Sequence, residues 1–175
     1  MRKQMGAIAL AGILSGAPPA LSADTATPEE VVARVRAAAE FLAKEGESGL
    51  ATFNKADSEF VWKDTYVFVY NCADDVIAAH PVAESRGVSI AELRGGDGGA
   101  FGIALCAAAE KPGGSWTEYQ WRHSVEAPTP NDLAYSGDYV RKVSYMFTVD
   151  GTPYQVGAGI FDESTSLEAL NEMIQ

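Results

Sequence analysis

The fold is assigned from a segment that reads Phe60-Val-Trp-Lys-Asp-Thr-Tyr-Val-Phe-Val-Tyr70. It is rich in the aromatic and β-branched residues that strands favour, and it predicts one strand over residues 60–70. Side chains alternate along a strand. One face should therefore carry Tyr66, Phe68 and Tyr70, and the other Val67 and Val69. This is the clearest strand in the chain, and the other elements are assigned around it.

The segments that flank this strand predict an α+β domain. Residues 71–75 are typical of a hairpin turn, and residues 76–80 of a return strand that Pro81 stops. The remaining predicted elements are strands over residues 116–122, 139–149 and 154–161, helices over residues 28–44 and 101–110, and a short last helix capped by Thr165 with Glu168. We expect an antiparallel sheet of about five strands with a long N-terminal helix packed on it.

The first residues have the three-part pattern of a secretory signal peptide. Arg2 and Lys3 precede an apolar run over residues 5–14, and small residues and prolines follow up to residue 23. A retained membrane anchor is the alternative, but the run is shorter than the roughly 20 apolar residues that a span needs. We therefore expect residues 1–23 to be a cleaved signal peptide and residues 24–175 to be a single periplasmic or secreted domain.

The composition argues against several classes of function. The formal net charge is −11, and an acidic surface repels nucleic acid. The sequence has no GxSxG, no HExxH, no EF-hand loop and no P-loop. Adjacent carboxylates such as Asp74-Asp75 fall in predicted turns, where they do not converge as an acid–base pair. We therefore expect no nucleic-acid partner, no metal, no cofactor and no enzymatic activity.

Cys72 and Cys106 are the chain's 2 cysteines. In an oxidising compartment such a pair most simply forms one disulfide. Two buried free thiols are the alternative that the sequence leaves open. A metal site is disfavoured because there is no CxxC and because His80 and His123 are far apart in the sequence.

Five blocks, in this order, resemble a single Cache domain of bacterial receptors. They are residues 60–70, Ala79-His80-Pro81, Gly113-Gly-Ser-Trp-Thr-Glu-Tyr-Gln-Trp121, Arg141-Lys-Val-Ser-Tyr145 and Gly157-Ala-Gly-Ile-Phe161. The resemblance implies a PAS-like antiparallel sheet, a long helix behind it, and a pocket for a small molecule between the sheet and its overlying loops. Members are usually the sensing parts of chemoreceptors and sensor kinases, and several relatives bind short organic acids.

The resemblance also suggests which residues bind the ligand. Tyr66, Phe68, Tyr119 and Trp121 would line the pocket, although all four also suit a plain aromatic core. His80 would either donate to a ligand or cap the turn before Pro81. Lys142 would neutralise a ligand carboxylate that Tyr145 orients. Strict alternation puts Lys142 and Tyr145 on opposite faces, so both can enter the pocket only if a β-bulge intervenes.

We expect an extracytoplasmic sensor module that binds a small molecule, with a short carboxylate as the favoured class. The sequence ends at Gln175 without a membrane span or output domain, so we expect a membrane-bound signalling partner. Pairing of the long N-terminal helix into a homodimer is a further expectation from the receptor relatives. The alternatives are a small cavity enzyme on an α+β fold and an interaction module whose pocket is packed shut.

Overall fold

A long helix, α1 (Pro28–Glu45), is the first element of the computed structural model, which describes residues 25–123 and 138–174. Its start is fixed by a capping box: Glu30 N donates to the Thr27 hydroxyl, and the Glu30 carboxylate accepts from Thr27 N. Buried Val35 and Leu42 lie on the face that packs against the sheet. The predicted helix is confirmed, whereas the predicted signal peptide, residues 1–23, lies outside the described residues.

The stretch predicted as one strand is two strands. β1 (Val61–Trp62) turns back on β2 (Thr65–Asn71), so that Trp62 pairs with Thr65. The reversal lies at Lys63, whose φ of 47° is the positive value that a two-residue hairpin turn requires. The prediction of a single strand was therefore wrong at this point. β2 keeps the predicted alternation of its two faces.

The remaining elements complete one antiparallel sheet. They are α2 (Leu50–Phe53), β3 (Val76–Ala79), α3 (Phe101–Ala109), β4 (Ser115–His123), β5 (Asp138–Thr148), β6 (Gln155–Phe161) and α4 (Leu167–Glu172). The sheet has 6 strands, with β1 and β3 on one edge of β2 and the order β2-β6-β5-β4 on the other side. The α+β class is confirmed, and β1 accounts for the strand beyond the predicted five. Ser166, and not Thr165, caps α4, since its hydroxyl accepts from Ala169 N.

Different elements pack on the two faces of the sheet. α1 packs on the face that carries Val67, Val143 and Tyr145. α3 and the 3₁₀ segments at residues 83–85 and 90–92 cover the opposite face. On that second face β6 contributes Gly157 and Gly159, where a β-carbon would collide with the Met146 sulfur and the Ser144 hydroxyl. These glycines leave room above β6 for the side chains of its neighbours.

A disulfide joins Cys72 to Cys106, with the two Cα atoms 6.0 Å apart. It ties the turn after β2 to the middle of α3 and so fastens α3 over the sheet. The bridge predicted from the sequence is confirmed. Within the residues that the structure describes, no helix is both long enough and apolar enough to cross a membrane.

A candidate ligand-binding cavity

A cavity of about 50 Å³ lies between the sheet and its α3 cover. One water molecule needs about 10–15 Å³ of such space, so the cavity holds a molecule of about three to five non-hydrogen atoms. Its walls are aromatic and aliphatic, with a few polar groups. The lining residues are Tyr66, Phe68, Tyr70, Ile77, His80, Ser85, Val88, Leu93, Phe101, Tyr119, Trp121 and Lys142.

Lys142 supplies the positive charge of the cavity. The residue is 7% exposed, and its Nζ lies 5.5 Å from the centre of the Tyr66 ring and 5.2 Å from that of Phe161. Burial lowers its pKa to about 8, against the opposing effect of Asp64. Among the described residues, nothing accepts a hydrogen bond from Nζ or forms an ion pair with it, and no Asp or Glu lines the cavity. An ammonium group in this setting is ready to bind an anion.

Gly159 positions the Lys142 side chain. A β-carbon at this glycine of β6 would approach the Lys142 Cε to 3.0 Å. The lysine chain therefore lies flat over the β6 backbone and reaches towards Tyr66 instead of extending to solvent. The Gly157-Ala-Gly159 pattern reflects this close packing.

His80 is a neutral group in the cavity wall. Its Nδ1 accepts a hydrogen bond of 3.0 Å from Val82 N, so the proton of the neutral ring lies on Nε2. Burial, together with the charge of Lys142, lowers the pKa of His80 to about 3. Elsewhere in the described structure no group hydrogen-bonds to Nε2. His80 thus caps its turn through Nδ1, which is one of the two roles that the sequence offered, and donation from Nε2 to a ligand stays a prediction.

Stacked aromatic rings form the outer wall. Phe101, the first residue of α3, stacks on Tyr119 with ring centres 4.3 Å apart and meets Trp121 edge-on at 5.1 Å. The Tyr119 hydroxyl is 3.0 Å from the Ser144 hydroxyl. Burial raises the pKa of Tyr119 to about 12 although that hydrogen bond lowers it. The phenol therefore stays protonated over the physiological pH range.

All but one of the predicted ligand residues line this cavity. The exception is Tyr145, because β5 and β6 pair in unbroken register from Lys142 to Thr148 and no bulge turns Tyr145 inward. Tyr145 is fully buried under α1, where its hydroxyl donates to Gly113 O and accepts from Arg36 Nε. Its predicted place beside the ligand is corrected accordingly.

Several lining residues were absent from the sequence prediction. Tyr70 could have been found, since it shares its face of β2 with Tyr66 and Phe68. Ile77 and Phe101 come from separate elements that only the fold brings together. The same holds for Ser85, Val88 and Leu93, which lie in or beside short 3₁₀ turns.

Solved structures of chemotaxis and chemosensory domains share this fold. One is a methyl-accepting chemotaxis protein from Vibrio parahaemolyticus RIMD 2210633, with 16% identity and a TM-score of 0.56, covering 77% of this chain and 88% of that one. A second is described as the structural basis for carboxylic acid recognition by a Cache chemosensory domain, with 18% identity, a TM-score of 0.57 and coverage of 78% and 93%. A third is the periplasmic sensor domain of a chemotaxis protein, with 18% identity, a TM-score of 0.52 and coverage of 75% and 90%.

Sequence comparison adds nothing to this likeness. No protein-family model matches the chain, and no curated protein matches it. At 16% to 18% identity the structural likeness concerns the fold. The chain has the fold of a Cache sensor domain, which confirms the resemblance drawn from its sequence.

Proposed function

We propose that this Cache-fold chain is an extracytoplasmic sensor module that binds a short carboxylate in the cavity around Lys142. One observation carries the proposal. Lys142 is a buried ammonium group in a cavity lined by no acidic residue, and no described residue is its hydrogen-bond partner. A carboxylate would supply both the opposite charge and the missing acceptors.

The neighbours of Lys142 support a carboxylate over a larger or cationic ligand. His80 offers an N–H without adding charge. The single negative charge of a carboxylate would therefore face the single positive charge of Lys142. A volume of about 50 Å³ suits acetate or propionate. A solved Cache domain of the same fold is described as recognising carboxylic acids, which supports the same class here.

The polar groups of the cavity favour binding over catalysis. Ser144 lies behind the lining residue Tyr119, and a phenol with a pKa of about 12 is no base for its hydroxyl near neutral pH. His80, with a pKa of about 3, does not exchange protons there either. These features argue against the cavity enzyme, and the open volume argues against a pocket packed shut. Export by a leader of residues 1–23, a membrane-bound signalling partner and a homodimer through α1 stay predictions.

A panel of small ligands tests the proposal by thermal shift. Acetate and propionate should raise the unfolding temperature, whereas methylammonium and ethylammonium should not, because the cavity already holds a cation. A ligand at 100 times its dissociation constant adds about 2.7 kcal/mol to the free energy of unfolding. If no short carboxylate shifted the transition while an amine did, the proposed charge preference would be wrong.

The pH dependence of binding gives a second test. Since the free Lys142 has a pKa of about 8, a bound carboxylate should raise this pKa and binding should take up a proton at higher pH. We expect a constant affinity between about pH 6 and 8 and a loss of up to about tenfold per pH unit above that range. Calorimetry in buffers of different ionisation enthalpy measures the proton uptake. An affinity that stayed flat to pH 10 would contradict a binding role for the Lys142 ammonium.

A further inference from the structure

The Tyr70 hydroxyl is a polar group of a cavity-lining residue for which no described residue provides a hydrogen-bond partner. Tyr70 is 4% exposed and lines the cavity. Throughout the described ranges, no group hydrogen-bonds to its hydroxyl. Its ring is fixed by Phe68, with ring centres 5.0 Å apart. The hydroxyl is not among the described atoms that are both fully buried and unpaired, so it keeps accessible surface and, in the wall of a small cavity, can hydrogen-bond a ligand atom.

Tyr70 and Lys142 lie towards opposite ends of the cavity. On the shared neighbour β6, Tyr70 pairs with Gln155, whereas Lys142 pairs with Phe161. Tyr66 lies between them, since its ring is 5.5 Å from the Lys142 Nζ and its hydroxyl contributes to the raised pKa of Tyr70. A ligand whose carboxylate meets Lys142 and whose chain extends along the cavity past Tyr66 would approach Tyr70.

We propose that Tyr70 determines specificity by hydrogen-bonding an oxygen substituent on the ligand's carbon chain, so that the site prefers hydroxy acids to alkyl acids of the same size. This inference rests on the carboxylate site proposed above and concerns the other end of the same ligand. When an alkyl acid is bound, the Tyr70 hydroxyl would have no hydrogen-bond partner on the ligand. Sites that contain an unpaired polar group of this kind reject the isostere that lacks the matching group.

Glycolate and propionate form a matched pair for the test, because they differ by a hydroxyl in place of a methyl group. We expect the wild-type protein to bind glycolate about tenfold more tightly than propionate in titration calorimetry. Tyr70→Phe should remove this preference by weakening glycolate about tenfold while leaving propionate equal or tighter. The ligand-free Tyr70→Phe protein should unfold at the same temperature as wild type or higher, because it loses no hydrogen bond within the protein.

Tyr145→Phe is the control for this experiment. It removes a phenol of the same sheet that lies under α1 and is hydrogen-bonded to Gly113 and Arg36, so it should lower stability without changing the glycolate-to-propionate ratio. A ratio that is the same in wild type and Tyr70→Phe, with both acids still bound, overturns the role of Tyr70 and leaves the carboxylate site standing. If neither acid binds the wild type, the proposed function itself fails.

Discussion

Replacing Lys142 with methionine should weaken the binding of acetate and propionate by about a hundredfold or more. The substitution keeps the length of the side chain but removes the charge that faces the cavity. Deleting one partner of a buried, hydrogen-bonded charge pair typically loses 2–5 kcal/mol of binding free energy, and 2.7 kcal/mol corresponds to a factor of about a hundred. Titration calorimetry of both acids measures the loss directly.

The same variant should be more stable than wild type when no ligand is present. The pKa of Lys142 is about 8 in the folded protein against 10.5 as its ordinary value. The unfolded chain therefore binds more protons than the folded protein between these pH values. The free energy of unfolding of the wild type rises as the pH increases through this window. Below about pH 8 the folded protein bears the full energetic cost of the buried charge. Methionine removes the charge, and we expect a gain of about 2–3 kcal/mol at pH 7.

Lys55→Met is the matched control, since it makes the same change of charge at an exposed position. It should change neither affinity nor stability beyond about 0.5 kcal/mol. Unaltered carboxylate binding by Lys142→Met would remove Lys142 from the site and with it the observation on which the proposed function rests. A loss of both binding and stability would instead indicate that the lysine has a structural partner.

Removing the disulfide should have the largest effect on stability. The bridge closes a loop with a sequence separation of 34 residues, and the chain-entropy model assigns about 3–4 kcal/mol to a loop of this length. The double variant Cys72→Ala, Cys106→Ala should therefore unfold at a temperature about 10 °C lower. Thermal unfolding followed by circular dichroism measures the shift.

Reduction of the wild type provides the control. The reduced wild type should unfold at the same temperature as the double variant, because both lack the same constraint on the unfolded chain. Since the bridge also fastens α3, whose Phe101 closes the cavity, carboxylate affinity should fall along with stability. An unfolding temperature that did not respond to removal of the bridge would contradict this account.

Much of the fold could be predicted from local sequence. The Thr27–Glu30 capping box fixed the start of α1, and the alternation along residues 65–70 fixed which side chains share a face. The errors concern turns and helix caps, where alternative conformations differ by only a small free energy. Lys63 has a positive φ, which a lysine in the sequence does not predict, and Ser166 rather than Thr165 caps α4.

The site was predicted less completely because the residues that line a cavity come from segments far apart in the sequence. Lys142 and His80 were found through the resemblance of short blocks to a known family. Tyr145 was misplaced, since only the unbroken pairing of β5 with β6 decides between a bulge and strict alternation. Ile77 and Leu93 have no sequence pattern that marks them as lining residues.

Patterns within single segments of the sequence were enough to assign the α+β class and the aromatic face of β2, and the count of cysteines favoured the disulfide. Only the packed fold shows that Lys142, His80 and Tyr70 line one cavity, each with a polar atom that no described residue satisfies. The physical reason is that a hydrogen-bond partner, a desolvated charge and a shifted pKa are properties of the surroundings of a group. Those surroundings exist only once strands from distant parts of the chain lie side by side.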